Sequence, residues 1–212
     1  MDRSRATVTG WIGTVGAILV VLISVPSGWY GVPATDSYIF DPALLTPLWI
    51  QRVVMPLLSI VALLSLLVCL ASLVYRDWPV AGRIRRGGGV LGVFGLFGLT
   101  IAIPFLHYSS QGVSGVGSLA IIAGFVATVI FGGILAIGLL VLAYGYYSIG
   151  RTTLGLALLG VVIGVPVLGT LAPSPFKSLA ASLPVAFSWG VIGAELRAHA
   201  SLLDSEESSE TI

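Results

Sequence analysis

Few side chains in this sequence have the type and spacing for chemistry. His107 and His199 are the only histidines. Glu195 and His199 stand four apart, which puts both on one face of a helix and could begin a metal site. No third ligand accompanies them, so a pair at a helix end is the expected role. The two histidines fall at opposite ends of apolar segments, so they cannot clasp a haem between helices. Cys69 is the single cysteine, too few for an internal disulfide, a thiolate zinc site or an iron–sulfur cluster. The densest charge is "RDWPVAGRIRRGGG", residues 76 to 89, with four arginines and a glycine run. A phosphate-binding loop would need G-x-x-x-x-G-K-[ST] behind a strand, and that pattern is missing. Nucleic-acid binding would need a broader basic surface, and the formal net charge is only +1. We expect no catalytic residue, cofactor or metal, and no nucleic-acid partner.

The elements that would hold these residues are apolar. Hydrophobic residues make up 57% of the 212 positions and charged residues 9%, with a mean hydropathy of +1.05. A soluble domain carries about 25% charged residues, so this chain cannot clothe a water-facing surface. A bilayer-spanning helix needs roughly 20 mainly apolar residues. Apolar stretches with charge only at their ends supply six, at about 8–28, 52–75, 88–107, 117–146, 152–172 and 178–197. The ten-residue alternation of a membrane barrel is missing. The predicted class is therefore all-α: a polytopic membrane protein whose six helices form one compact bundle over residues 1–200. The first span follows a basic "MDRSR" and could be a cleaved signal. Its length and the lack of a clean A-x-A site favour a retained helix. Residues 201–212, "SLLDSEESSETI", are acidic and serine-rich, and we expect a disordered cytoplasmic tail.

Charge placement predicts orientation. With the N-terminus inside, the inner segments hold Arg3, Arg5, Arg76, Arg83, Arg85, Arg86, Arg151 and Arg197, and the outer ones hold only Arg52 and Lys177. That bias follows the positive-inside rule, so both termini are expected in the cytoplasm. Arg76, Arg83, Arg85 and Arg86 are read as the topology determinants. They also attract anionic headgroups by about 1 kcal/mol each.

Lipid tails are as apolar as leucine, so helices associate through close packing and interhelical polar contacts. Small residues recur for that purpose. The third span has Gly88, Gly92 and Gly95, with Gly98 displaced to the side. The fourth reads Ala120, Gly124, Thr128, Gly132, Ala136. The fifth has Gly160 and Gly164 ahead of Pro166, and the sixth Ser182, Ala186, Gly190, Ala194. We expect these ridges to meet one another within the bundle, with a homo-oligomer seam or a substrate path as the alternatives. The leucine-rich second span is expected to lie at the periphery, facing lipid. Pro56, Pro104, Pro166 and Pro184 fall in or near the spans, where each removes a helix hydrogen bond.

Residues 28–49 form the longest link between spans. Trp29 and its aromatic neighbours suit the membrane–water boundary. Asp41-Pro42 reads as a helix cap, and Asp36 and Asp41 could bind a cation or a partner. If anything outside is recognised, Trp29, Asp36 and Asp41 are the candidates. The hydrocarbon region offers only weak polar groups such as Ser24, Ser59, Ser65, Thr100, Thr128 and Ser188, whereas ion-coupled carriers place charges there.

The arginine-for-lysine bias, the acidic "DSEESSE" end and the "RDWP…GRIRRGGG" loop among six spans resemble small, functionally uncharacterised multi-pass membrane proteins of halophilic archaea. The resemblance covers most of the chain and implies no activity, cofactor or catalytic residue. Two functions remain: a non-catalytic membrane scaffold or accessory subunit, joined to a membrane-protein partner or a second copy, or a carrier or channel for a small neutral or hydrophobic solute.

Overall fold

The computed structural model describes residues 3–25, 49–110 and 118–210. Six long helices carry the fold: α1 (Arg3–Ile23), α2 (Met55–Asp77), α3 (Arg83–Ser110), α4 (Ser118–Tyr147), α5 (Thr152–Leu171) and α6 (Lys177–Glu210). Among the described residues there is no strand. A π-helical turn, Ile50–Val54, leads into α2, and a 3-10 turn, Trp78–Val80, leaves it. Pro56 occupies the first turn of α2, where its missing N–H costs nothing, while Pro104, Pro166 and Pro184 lie inside their helices.

All six helices are long and apolar enough to cross a membrane. Their outward faces are apolar too. Phe125, Ile137 and Phe187 are 59%, 56% and 66% exposed, and the stripe Val8, Trp11, Val15, Ile18, Leu22 runs along the open face of α1. A water-soluble monomer rarely shows apolar patches of more than a few hundred Å². A lipid solvent removes that objection.

Each helix packs on the next, and α6 returns to pack on α1, closing a ring; α2 also touches α6 across it. All six helices feed one core, including Ala17, Leu70, Leu96, Leu139, Leu158 and Trp189. The second helix is not peripheral. Leu66, Leu70 and Leu73 are 2%, 0% and 0% exposed. Composition could not place it, because leucine serves equally against lipid and against protein. Its neighbours decide: Gly13 and Gly16 on α1 and Gly92 on α3 leave room for Cys69, Leu66 and Leu70.

The α3–α4 seam is the broadest in the ring. A Cβ added to Gly88 would lie 2.7 Å from the Leu142 nitrogen, one on Gly95 2.7 Å from Leu135 Cα, and one on Gly138 2.7 Å from Gly92 Cα. These backbones touch because side chains are missing. Gly98 belongs to the same seam, since a Cβ there would strike the Phe131 ring. On α4 the contact runs through Phe131, Leu135, Gly138, Leu142 and Gly145, in alternating steps of four and three. That alternation explains where the sequence ridges depart from the structure. Strict four-residue steps rotate about 40° each, so a ridge from Gly124 to Ala136 turns about 120° around the helix. Gly124 therefore meets Phe105 and Leu106 of α3, while a Cβ on Gly132 would touch nothing within 4 Å. Gly160 and Gly190 likewise face open space rather than a neighbour, and Gly164 abuts Pro184 of α6. Thr128 spends its hydroxyl on the Gly124 carbonyl of its own helix, and Ala186 packs at the edge of the core.

Helix α6 runs on through the acidic end to Glu210. Leucine and glutamate are good helix formers, and extending an existing helix avoids the nucleation cost.

Candidate functional site

The strongest concentration of polar chemistry lies where α2 ends. Asp77 is its last helical residue, 6% exposed, and the only acidic residue between Asp41 and Glu195. A carboxylate buried in an apolar bundle must be paired. Arg76 Nε donates to Asp77 Oδ1 at 2.6 Å, and the Tyr146 hydroxyl donates to Oδ2 at 2.8 Å. Arg151 Nη1 donates to Oδ2 at a longer 3.5 Å. Arg76 also reaches α6, where its Nη1 donates to the Glu195 carbonyl at 3.3 Å. Its Nη2 is buried without a partner. One carboxylate and one guanidinium thus join α2, α4, the α4–α5 turn and α6.

Local backbone chemistry delivers two of these donors together. Helix α4 closes in a Schellman turn: Arg151 N–H donates to the Tyr146 carbonyl at 3.1 Å and Gly150 N–H to the Tyr147 carbonyl at 3.1 Å. Gly150 adopts φ +80°, the left-handed conformation that such a turn requires. The motif sets Arg151 back over the turn that carries Tyr146, and both side chains converge on one carboxylate oxygen.

A second polar contact holds the same end. Arg197 of α6 donates through Nη1 to the Gly10 carbonyl at 3.0 Å and to Thr14 Oγ1 at 2.7 Å, with its guanidinium 4.5 Å from the Trp11 ring centre. It reaches a helix carbonyl because α1 and α6 cross at Gly10 and Gly193, where a Cβ on Gly193 would lie 2.6 Å from the Gly10 oxygen. Deeper in, Trp189 Nε1 donates to the Leu66 carbonyl at 2.8 Å. The buried Ser188 hydroxyl donates to the carbonyls of Ala157 and Pro184. Ser24, Ser59, Ser65 and Thr100 each bond a carbonyl four residues back in their own helix. Such bonding satisfies a hydroxyl locally and takes it out of circulation as a ligand.

The arginine stretch divides by task. Arg76 belongs to the buried node. Arg85 Nη2 donates to the Val80 carbonyl at 2.7 Å and Arg86 Nε to the Trp78 carbonyl at 3.2 Å, so both tie the 3-10 turn to α3. Arg83 is exposed. Trp29, Asp36 and Asp41 lie outside the described residues. Glu195 and His199 share α6, and among the described residues no three His, Cys, Asp or Glu side chains gather to hold a metal ion.

Sequence reasoning gave Asp77 no role. Its signal was present, a lone carboxylate in a long acid-free tract with arginine beside it. Tyr146 and Arg151 carried no signal of their own, because a helix cap and a chain reversal bring them to Asp77.

Among the described residues these features define an all-helical chain with six helices long and apolar enough to span a membrane, joined at one end by a buried ion-pair node. No protein-family model matches the chain, and neither does any curated protein or solved structure.

Proposed function

We propose that the chain is a multi-pass component of the cell membrane that acts as a non-catalytic scaffold or accessory subunit, with both termini at the cytoplasmic face. The observation that carries this reading is how the ring is closed. Several interior polar groups tie one helix to another: Trp189 to Leu66, Ser188 to Ala157, Arg197 to Gly10, and Tyr146 to Asp77. Its seams bring backbones into contact. Such a bundle offers a fixed frame, and its outward apolar faces are what a neighbouring membrane protein would meet.

Orientation draws support from the arginines. Contacts gather Arg76, Arg85, Arg151 and Arg197 at one end of the ring, together with the α1 turn that carries Gly10. Eight inner cations against two outer ones would place that end in the cytoplasm.

Purification in mild detergent from the native membrane tests the role. A scaffold is expected to bring a stoichiometric membrane-protein partner that remains bound through size exclusion. Purified protein that instead catalyses solute flux across reconstituted vesicles would overturn the reading in favour of a carrier. A tag after Ile212 that is accessible from outside intact cells would overturn the orientation.

A further inference from the structure

We propose that the groove between α2 and α3 is a binding site for an anionic phospholipid, with an acyl chain in the groove and the phosphate on Arg83 and Arg86. The inference rests on the membrane reading, with the arginine end at the depth of the headgroups.

The groove encloses about 780 Å³ and its lining is almost wholly apolar. That volume falls within the roughly 300–1,000 Å³ of ordinary ligand sites. Leu67, Ala71 and Trp78 form one wall, and Val90, Phe94 and Phe97 form the other. Phe94 and Phe97 are 52% and 51% exposed, so the groove opens outward, toward lipid in a membrane. A bilayer would fill any such cleft; cations just beyond its Trp78 end add a preference for an anionic headgroup.

Arg86 sits one helical turn before Val90 on the same face of α3, and Arg83 one turn further out; both are exposed. Arg86 is anchored at the groove by two contacts. Its Nε donates to the Trp78 carbonyl at 3.2 Å and its guanidinium lies 5.3 Å from the centre of the Trp78 ring, the ring that closes the groove. The one carboxylate in this stretch, Asp77, is buried and paired with Arg76. Among the described residues no carboxylate pairs with Arg83 or Arg86. The order from the end inward is therefore cation, indole, aliphatic and phenyl, which is the order of a phospholipid from phosphate through glycerol to chain. A second groove, between α3 and α4, is lined by Ile101, Phe105, Ala123 and Ala127 among others and carries no charge. It lacks the feature that would select a headgroup.

Native mass spectrometry of the detergent-purified protein, titrated with phosphatidylglycerol or phosphatidylcholine of matched chains, reads the site. Wild type is expected to retain phosphatidylglycerol preferentially. R83Q/R86Q is expected to lower phosphatidylglycerol retention about thirtyfold, the factor that two surface arginines supply, and to lower phosphatidylcholine much less, because the choline ammonium offsets the charge of its phosphate. V90W, on the exposed wall, is expected to reduce both lipids by filling the groove. Wild-type circular dichroism and melting in both variants would show that the fold survives. Equal retention of the two lipids by wild type, an undiminished preference in R83Q/R86Q, or full retention in V90W would each overturn the proposal. Displacement by glycerol phosphate at concentrations comparable to the intact lipid would also overturn it, by making the ligand a soluble phosphate. Alkaline carbonate extraction judges the membrane reading separately: protein released by carbonate sinks that reading, whereas retained protein with no lipid preference sinks only this one.

Discussion

The α3–α4 seam and the Asp77 node hold the same ring by opposite means. In the seam, side chains have been removed until Gly88, Gly92 and Gly138 let two helices touch at the backbone. At the node, a charge has been added where charge is most costly, and three donors are bent toward it. The seam gains many weak dispersion contacts, each small and none indispensable. The node concentrates its effect in a few atoms. Damage to the seam is shared along its length; damage to the node depends on which member is lost.

That contrast sets the expected scale of damage. Asp77→Ala would leave the Arg76 guanidinium, already buried with one nitrogen unpartnered, without its counter-charge. The expected loss is about 3–5 kcal/mol, seen as a lower unfolding midpoint in detergent by the fluorescence of buried Trp189. Tyr146→Phe keeps the ring and removes one hydrogen bond to a charged acceptor, for a loss of about 1.5–3 kcal/mol by the same measurement. Arg151→Gln should cost no more than about 1 kcal/mol, because that side chain is 44% exposed and 3.5 Å away. A loss equal to that of Asp77→Ala would show that the node depends on Arg151 rather than Arg76.

A pair of matched substitutions sharpens the other side. Gly95→Ala places a methyl against the Leu135 backbone and should destabilise by about 1–3 kcal/mol. Gly132→Ala meets nothing within 4 Å and should gain about 0.5–1 kcal/mol from helix propensity alone. Equal effects at the two sites would mean that the seam does not lie where the alternating steps of four and three place it.

The two regions were unequally legible. Six helices followed from apolar stretches with charge only at their ends, because the length of an apolar run and its lack of internal charge are properties of the sequence itself. The glycines of α3 were visible as a pattern, and Gly88, Gly92 and Gly95 do meet a neighbour. Which glycines of α4 meet them was not legible, since a one-dimensional repeat does not say how fast the contact line winds around a helix. Gly10, Gly13 and Gly16 of α1 form no four-residue ridge, yet all three sit in tight crossings. The leucines of α2 were assigned to lipid for want of any residue that distinguishes lipid from core. Asp77 was readable as an anomaly, but its partners depend on the Schellman turn at Gly150 and on helices distant in sequence.

Rigidity of the arginine end is the claim on which the scaffold reading stands. Spin labels at Ser148, in the α4–α5 turn, and Ser201, on α6, flank the node and are both exposed, while the native Cys69 is buried away from label. Their separation, measured by pulsed dipolar spectroscopy in reconstituted bilayers, reports whether this end is locked. A closed frame predicts one narrow distance distribution in the wild type and a broadened one in Asp77→Ala. Two well-separated wild-type populations, of the kind an alternating-access carrier requires, would contradict it.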